Sequence, residues 1–258
     1  LGADYRLRDN LVLGAAVGYT TTTNDIDRDG GELDVDGGSV SLYGTWFHER
    51  GFYADAIASY GHNDYDQERT VRYAIPDATV SQTATAGYDG DQWSVALGTG
   101  YEISRGALTA APTLQLEYLS LEVDGFRERV SDPDAPGRGL AVSIDDQDTD
   151  SLTLRLGGRA SYSISLPWGV LVPQASAEWV HEFDDDARQV AGRFVSAAAS
   201  DPGFVLATDD PDRDYFVIGA GASAVFARGV SAFAYYEGLA GHRELDNHSV
   251  TVGLRWEF

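Results

Sequence analysis

The sequence contains no cysteine, which excludes a disulfide framework and any metal site built on thiolates. Basic residues are scarce, because 18 Lys and Arg stand against 41 Asp and Glu and leave a formal net charge of -23. Proteins bind nucleic acid through surfaces rich in Lys and Arg, so we expect no nucleic-acid partner. Long apolar runs are missing as well, and no stretch approaches the roughly 18 to 20 apolar residues of a membrane-spanning helix.

The chain begins with neither methionine nor an apolar leader, so we expect its N-terminus to be a cut or processed end. Its length of 258 residues fits one large β domain, and we treat residues 1–258 as a single domain. The mean hydropathy of -0.25 does not argue against membrane strands. In such strands apolar and polar residues alternate, and their contributions cancel.

What the sequence has in abundance is alternation of apolar with polar or small residues. The pattern is clearest in residues 152–164, where Leu, Ala, Tyr and Ile alternate with Thr, Arg, Gly and Ser. Successive side chains of a strand point to opposite faces of the sheet, so this period of two predicts β-strands. Pairs of such runs flank short turns at residues 8–10, 49–51, 105–106, 167–169 and 228–229. With a closing strand at residues 250–258, eleven strands are predicted.

The predicted fold class is all-β, a transmembrane antiparallel up-and-down β-barrel. Bacterial single-chain barrels carry an even number of strands. Eleven strands in this chain therefore predict a barrel of twelve, with the first strand upstream of Leu1. Without that strand, residues 250–258 would have to pair with residues 1–7 or leave the barrel open.

The connections are of two kinds. Five turns are short, whereas four connections, at residues 23–37, 66–91, 124–150 and 184–214, are predicted as long loops. These four segments hold 27 of the 41 acidic residues, so the negative charge is concentrated at one rim. Outer-membrane barrels have short turns on the periplasmic side. The long loops are therefore predicted to be extracellular and the C-terminus periplasmic.

Charged residues in the strands share the polar parity and are predicted to face the lumen. On the lipid side, a mid-bilayer Arg would cost about 2 to 4 kcal/mol. The lumen-facing set is Asp4, Arg6, Asp55, Glu117, Arg155, Arg159, Glu178, Glu237 and Arg255. One interpretation is an ion-pair network that stiffens the barrel; the functional hypothesis is that some of these side chains contact a segment threaded through the pore.

Three local patterns suggest other functions. Asp25, Asp27 and Asp29, with Asp36 at the twelfth position, match part of an EF-hand loop, but strands rather than helices flank them.

Three histidines have acidic neighbours that could serve a surface hydrolase: His62 with Asp64, His181 with Glu182 and His242 with Glu244. No motif supplies a nucleophile, and aromatic residues near strand ends fit interface girdles better than a ligand cage. We therefore expect no catalytic residue, no cofactor and no bound metal.

Several ordered segments resemble the translocator barrel of the autotransporters, the C-terminal domain of type V secretion proteins. The matching segments are Gly2-Ala-Asp-Tyr-Arg-Leu7, Leu13-Gly-Ala-Ala-Val-Gly-Tyr19, Leu42-Tyr-Gly44, His62-Asn-Asp-Tyr-Asp66, Pro112, Glu117-Tyr118, Asp124-Gly-Phe126, Glu128, Leu154-Arg-Leu-Gly157, Pro173, Glu178-Trp-Val-His-Glu-Phe183 and Val252-Gly-Leu-Arg-Trp-Glu-Phe258. Their order and spacing cover nearly the whole chain. The resemblance implies a twelve-stranded barrel.

The same resemblance implies a role and a set of partners. Such barrels lie in the outer membrane of Gram-negative bacteria, among lipid and lipopolysaccharide, and assist export of their own N-terminal passenger past a pore helix. The barrel-assembly machinery reads a terminal aromatic strand, here Val250, Val252, Leu254, Trp256 and Phe258. We expect a monomer without catalytic activity. The alternatives are a diffusion porin or adhesive barrel and, less favoured, a surface hydrolase.

Overall fold

The computed structural model describes residues 1–26, 30–75, 78–184, 187–198, 200–208, 210, 212–226, 229–243 and 245–256. Eleven strands follow one another in the main sheet: β1 (Gly2–Arg8), β2 (Leu11–Ile26), β3 (Gly31–Phe47), β4 (Phe52–Ile75), β5 (Ala78–Tyr101), β7 (Leu108–Val123), β11 (Gln147–Tyr162), β13 (Gly169–Glu182), β16 (Asp214–Phe226), β17 (Val230–Ala240) and β18 (His248–Trp256). The shorter elements are β6 (Ile103–Arg105), β8 (Phe126–Arg127), β9 (Arg129–Val130), a 3-10 turn (Arg138–Leu140), β10 (Val142–Ile144), β12 (Ile164–Leu166), β14 (Gln189–Phe194) and β15 (Phe204–Ala207).

Each strand of the main sheet pairs antiparallel with the next, so the prediction of eleven up-and-down strands is confirmed. The two ends of the strand order are β1 and β18. Within the described residues, β1 pairs with β2 and β18 pairs with β17, and neither pairs with the other. The sheet therefore has two free edges, so of the two predicted alternatives the structure has the open one rather than pairing between residues 250–258 and 1–7.

Two of the predicted loops are wrong. Residues 23–37 belong largely to β2 and β3, which pair as far as Ile26 and Gly31. Residues 66–75 and 78–91 are also strand, because β4 and β5, of 24 residues each, pair antiparallel along their length. The Asp, Gly and Ser content suggests loops, but β-branched Thr residues favour strands and contribute cross-strand hydrogen bonds. Thr21 and Thr23, for example, donate to Asp carboxylates of β3.

The other two predicted loops are correct in part. Residues between β7 and β11 and between β13 and β16 are connections, but they are not irregular throughout. Their short strands form a second antiparallel sheet in the order β15-β14-β10-β8, which joins the two connections at the same rim. We call this end of the barrel the long-connection rim and the end with the turns near residues 10, 50, 106, 168 and 229 the short-turn rim.

One face of the main sheet is concave. The guanidinium of Arg159 on β11 lies 5.5 Å from the ring centroid of Tyr53 on β4. Two strands, β5 and β7, separate them in the sheet order. Three strand spacings span about 14 Å on a flat sheet, so the two side chains can meet only across a curved interior. The face that carries Arg159 is therefore the inner face.

The outer face is apolar and exposed. Leu97, Leu156 and Ile218 are 54%, 51% and 51% exposed, although large apolar side chains are normally buried in a water-soluble domain. Val180 is the largest fully buried side chain among the described residues. Contiguous exposed apolar surface of this kind marks contact with a membrane or a partner. None of the helices in the described ranges is long and apolar enough to cross a membrane.

Aromatic residues border the apolar band at both rims. Towards the long-connection rim, the rings of Tyr60 and Trp93 lie 4.7 Å apart. Towards the short-turn rim, Trp46 and Phe52 form a second pair with centroids 6.0 Å apart. Trp93 and Tyr101 are eight residues apart on β5, roughly 27 Å along a strand. Allowing for strand tilt, this spacing fits the girdles that flank the apolar band of an outer-membrane barrel.

Candidate functional site

The inner face carries a three-residue charge cluster near the middle of the sheet. Arg155 on β11 lies between Glu117 on β7 and Glu178 on β13, at 3.7 Å and 3.9 Å from their carboxylate oxygens. All three side chains are about one-third exposed. The Nε of Arg155 is buried without a hydrogen-bond partner among the described residues. Arg155 therefore links three neighbouring strands through its terminal nitrogens, and its Nε–H could still donate one hydrogen bond.

A second group of inner-face side chains lies nearer the short-turn rim. Arg159, Tyr53, Asp55 and Glu102 line a cleft of about 460 Å³. The Arg159 guanidinium over the Tyr53 ring has the geometry of a cation–π contact. The cleft thus presents one cation and two carboxylates to the lumen.

The remaining sequence-predicted charges are more dispersed. Arg6 lies over the Phe47 ring at 5.9 Å, and Glu237 lines a small cavity of about 140 Å³ with Arg155. Asp4 and Arg255 lie on the edge strands β1 and β18. Six of the nine predicted lumen-facing charges thus lie together: three in the Arg155 cluster, two in the Arg159 cleft, and Glu237 in the small cavity beside Arg155. That these nine charges have a functional role stays a prediction.

Sequence reasoning missed the inner-face tyrosines. Tyr235 on β17 reaches across β16 to Ser176 on β13, and their hydroxyls lie 2.6 Å apart. It can do so because Gly219 lies between them, where a Cβ atom would collide with the Tyr235 ring. Tyr53 covers Gly100 in the same way. A glycine close to an inward tyrosine of the next strand is the sequence signal that could have identified these bridges.

The terminal strand β18 presents its apolar residues outward. Val250, Val252, Leu254 and Trp256 are between 72% and 84% exposed. The last residue of the predicted assembly signal, Phe258, lies outside the described residues. Recognition of this strand by an assembly machinery stays a prediction.

The long-connection rim is fixed by buried polar contacts that face inward. Glu128, which is 2% exposed, accepts two hydrogen bonds from Arg69 at 2.8 Å and 2.6 Å and a third from the Val142 amide. Charge-assisted bonds to Glu128 raise the pKa of Arg69. Gln82, 3% exposed, bonds the chain at Ser131 and Asp132. The connection after β7 is thereby held against the inner face of the β4–β5 hairpin.

Two of the three histidine partners suggested by the sequence differ from those in the structure. His62 pairs with Asp91 rather than Asp64, at 2.9 Å from Nδ1 to the carboxylate. His181 pairs with Asp214 of the neighbouring strand, also at 2.9 Å. His242 contacts Asp212, and its suggested partner Glu244 lies outside the described residues.

The EF-hand hypothesis is contradicted where the structure describes that segment. β2 and β3 run antiparallel through it, with Asp25 opposite Glu32 and Thr21 opposite Asp36. Both flanks are therefore strands rather than the helices that the motif requires. Asp27 and Asp29 lie outside the described residues.

Acid is expected to loosen the connection between β17 and β18. Hydrogen bonds from the backbone and then the side chain of Arg243 hold the pKa of Asp212 below its ordinary value of 3.8. A lowered pKa in the folded state means that this carboxylate stabilises the connection above its unfolded pKa and stops doing so as the pH falls through the folded value. Hydrogen-exchange protection near Arg243, corrected for intrinsic rates, should fall several-fold below about pH 4. Asp212→Asn should be weakly protected at every pH, and wild-type protection unchanged at acidic pH would refute the linkage.

An antiparallel up-and-down sheet with an exposed apolar outer face, aromatic borders and a charged inner face defines a transmembrane β-barrel of the outer-membrane type. The family model "Autotransporter beta-domain" matches residues 1–237. The chain therefore belongs to the autotransporter β-domain family, whose barrels lie in the outer membrane and serve passenger export.

Relatives and solved structures are similar to it over its whole length or half of it. Lipase 1 of Photorhabdus luminescens is 24% identical over all of this chain, which spans 38% of that protein. Outer membrane protein B of Rickettsia rickettsii is 30% identical over 50% of this chain and 8% of its own length. The translocator domain of autotransporter NalP from Neisseria meningitidis superposes with a TM-score of 0.69 at 19% identity, covering 100% of this chain and 79% of that one. The chain thus spans well under half of the curated relatives it matches.

Proposed function

We propose that this barrel anchors its own N-terminal passenger in the outer membrane and assists the passenger's export to the cell surface through the lumen. One observation carries the proposal. The same sheet has an apolar, exposed outer face and an inner face lined by clustered charges, of which Arg155 with Glu117 and Glu178 is the central group. A segment that crosses such a lumen would contact fixed charges of both signs, while the outward apolar side chains of the strands contact lipid.

We propose that a twelfth strand closes the barrel between β1 and β18. An open sheet edge within hydrocarbon would leave backbone N–H and C=O groups unsatisfied, at several kcal/mol each. One further strand would pair with both edges and restore the even number typical of bacterial barrels. A helical segment and the passenger would precede that strand.

The proposed orientation puts the long-connection rim outside the cell and the short-turn rim, with the C-terminus, in the periplasm. Short periplasmic turns and longer extracellular connections support this orientation. The barrel-assembly machinery would recognise β18 through its outward apolar face. Lipid and lipopolysaccharide would surround the barrel, which we propose acts as a monomer.

We propose that the barrel itself performs no catalysis. The name Lipase 1 describes a relative of which more than half lies outside the match, since this chain spans 38% of it. The rim histidines support the same view, because each pairs with an aspartate and, in the described residues, no serine or threonine hydroxyl is hydrogen-bonded to any of the three pairs.

Export should depend on the inner-face cations. In an assay with a reporter passenger fused upstream, the double variant Arg155→Ala and Arg159→Ala should slow surface appearance several-fold. Removing Arg155 leaves Glu117 and Glu178 uncompensated, and like charges in one lumen repel each other. The measurement is protease-accessible reporter on intact cells against time.

The matched control is Arg105→Ala, which removes an exposed cation at the short-turn rim. It should export at the wild-type rate. A double variant that exports as fast as wild type would contradict a role for these cations in export. Conductance in a planar bilayer, measured with the upstream helix restored, separates the alternatives: a diffusion porin stays open, whereas a plugged translocator conducts little.

A further inference from the structure

Three metal-ligating side chains meet on the outer face of the β4–β5 hairpin. Asp64 on β4 and Asp89 on β5 are directly opposite each other in the strand register. His62 lies two residues before Asp64 and therefore shares its face. One donor atom from each of the three lies within 4.8 Å of the others. We propose that His62, Asp64 and Asp89 bind one divalent transition-metal ion, with Zn²⁺ the preferred one.

The separation of the donors suits a single ion. Zinc binds imidazole nitrogen and carboxylate oxygen at about 2.0–2.2 Å, so two ligands of one ion lie at most about 4.4 Å apart. Small side-chain rotations close the difference from 4.8 Å. All three side chains are exposed, so such an ion would keep at least one position for water or for an exogenous oxygen ligand.

One ring nitrogen of the imidazole already has a carboxylate partner. His62 Nδ1 lies 2.9 Å from an oxygen of Asp91, and the Tyr60 hydroxyl donates to the same oxygen at 2.6 Å. Histidines that bind metal usually donate their other ring N–H to a carboxylate, which fixes the tautomer and the ring plane. With its proton on Nδ1, His62 has the lone pair of Nε2 available for the ion.

The two carboxylates lack compensation of their own. Within the described ranges, neither the Asp64 nor the Asp89 carboxylate has a hydrogen bond or an ion pair, although backbone register sets them opposite each other. Asp36 lies opposite Asp64 on the other side, on β3. Like charges directly opposite each other destabilise a strand pair. A divalent cation between Asp64 and Asp89 would reverse the sign of that interaction.

A second histidine of the same rim shows what makes this cluster different. His181 has the same carboxylate contact, 2.9 Å from Nδ1 to Asp214, and Trp179 donates to that carboxylate as Tyr60 does to Asp91. Its surroundings nevertheless hold no further pair of ligands, because in the described part of the chain only the His62 cluster brings three donors together. His181 is therefore a matched control for a His–Asp pair without a metal site.

The site would join β4 to β5 where the hairpin leaves the aromatic girdle nearer the long-connection rim. Tyr60 and Trp93 form that girdle, and the two strands continue beyond the cluster to Ile75 and Ala78. A bound ion would thus hold together the base of the longest hairpin. This proposal does not depend on passenger export.

The test is calorimetric titration of Zn²⁺ into the barrel produced together with the upstream strand that closes it, refolded in detergent micelles, stripped of metal and kept in excess Mg²⁺ to saturate ordinary acidic surface. We expect one Zn²⁺ site per chain. His62→Gln, Asp64→Asn and Asp89→Asn should each weaken binding at least tenfold. Asp91→Asn should weaken it about 10–100-fold, as loss of a carboxylate behind a ligating histidine typically does, and His181→Gln should leave it unchanged.

A wild-type measurement keeps the test independent of variant folding. Co²⁺ in place of Zn²⁺ should give a visible absorption band typical of nitrogen and oxygen ligands, and added Zn²⁺ should remove it. Absence of saturable Zn²⁺ binding in excess Mg²⁺ would overturn the proposal. So would equal losses in His62→Gln and His181→Gln, because these would reveal general binding to the rim.

Discussion

Replacing Leu97 with Arg is expected to destabilise the barrel by about 2–4 kcal/mol, the cost of a cation at the mid-bilayer lipid face. Leu97 lies midway between the Trp93 and Tyr101 girdle residues on β5, and it is 54% exposed on the outer face. Its two cross-strand neighbours, Ala56 and Leu116, are apolar and offer a cation no partner. The measurement is the urea midpoint for unfolding from lipid vesicles, with the slope checked for constancy.

The control uses the adjacent residue. Ala96 points to the inner face and lies opposite Glu117 of β7, so Ala96→Arg adds a cation next to a carboxylate in a polar lumen. Its cost should stay below about 1 kcal/mol, the range of ordinary polar-surface changes. A larger loss from Ala96→Arg than from Leu97→Arg would show that the two faces are assigned the wrong way round.

Arg69→Met is expected to cost about 3–5 kcal/mol locally, because it leaves a buried carboxylate without its partner. Glu128 has a side-chain exposure of only 1% against 32% for Arg69, so water cannot replace the guanidinium. The strain falls on the connection after β7, which Arg69 also bonds at the Leu140 carbonyl. Limited proteolysis should cut this connection in the variant far faster than in the wild type, while the barrel stays heat-modifiable on a gel.

Arg72→Met is the matched control for that experiment. Arg72 lies on the same strand three residues further on and is exposed. Its removal should leave the cleavage rate of the connection unchanged. Equal cleavage in the two variants would mean that the Arg69 to Glu128 contact does not hold the rim.

Alternation in the sequence was sufficient to predict the strands and their faces. The period of two is a local property, so Leu156 and Arg155 can be assigned to opposite faces without knowledge of their neighbours. The same reasoning identified eleven strands and the apolar exterior. The faces of membrane strands are especially easy to assign, because the residues that face lipid must be apolar.

Strand lengths at the long-connection rim could not be predicted in this way. Residues 66–91 contain four Asp and two Gly, residue types that indicate turns and loops for local reasons. Their strand structure depends on cross-strand partners, such as the stacked rings of Tyr65 and Tyr88. Tyr88 also stacks on Phe126 from a distant connection, a contact that local pattern cannot reveal.

The sequence predicts which charged residues face the lumen, but not which of them contact one another. That Arg155 would lie between Glu117 and Glu178 follows from the register of three strands, which depends on turn geometry and on lengths misjudged at the rim. The partners of His62 and His181 could not be predicted for the same reason. His62 meets Asp91 because β4 and β5 pair directly, whereas the sequence offered only its near neighbour Asp64.

Passage of the passenger through this lumen can be tested by a single crosslink. The chain has no cysteine, so one introduced thiol reports on one position. Ser59 faces inward, where its hydroxyl lies 2.8 Å from that of Ser41, and the adjacent Ala58 faces outward between Leu42 and Val95. With an export-stalled passenger that carries one cysteine, we expect a disulfide with Ser59→Cys and none with Ala58→Cys. Crosslinking at Ala58→Cys alone, or equally at both positions, would contradict export through the lumen.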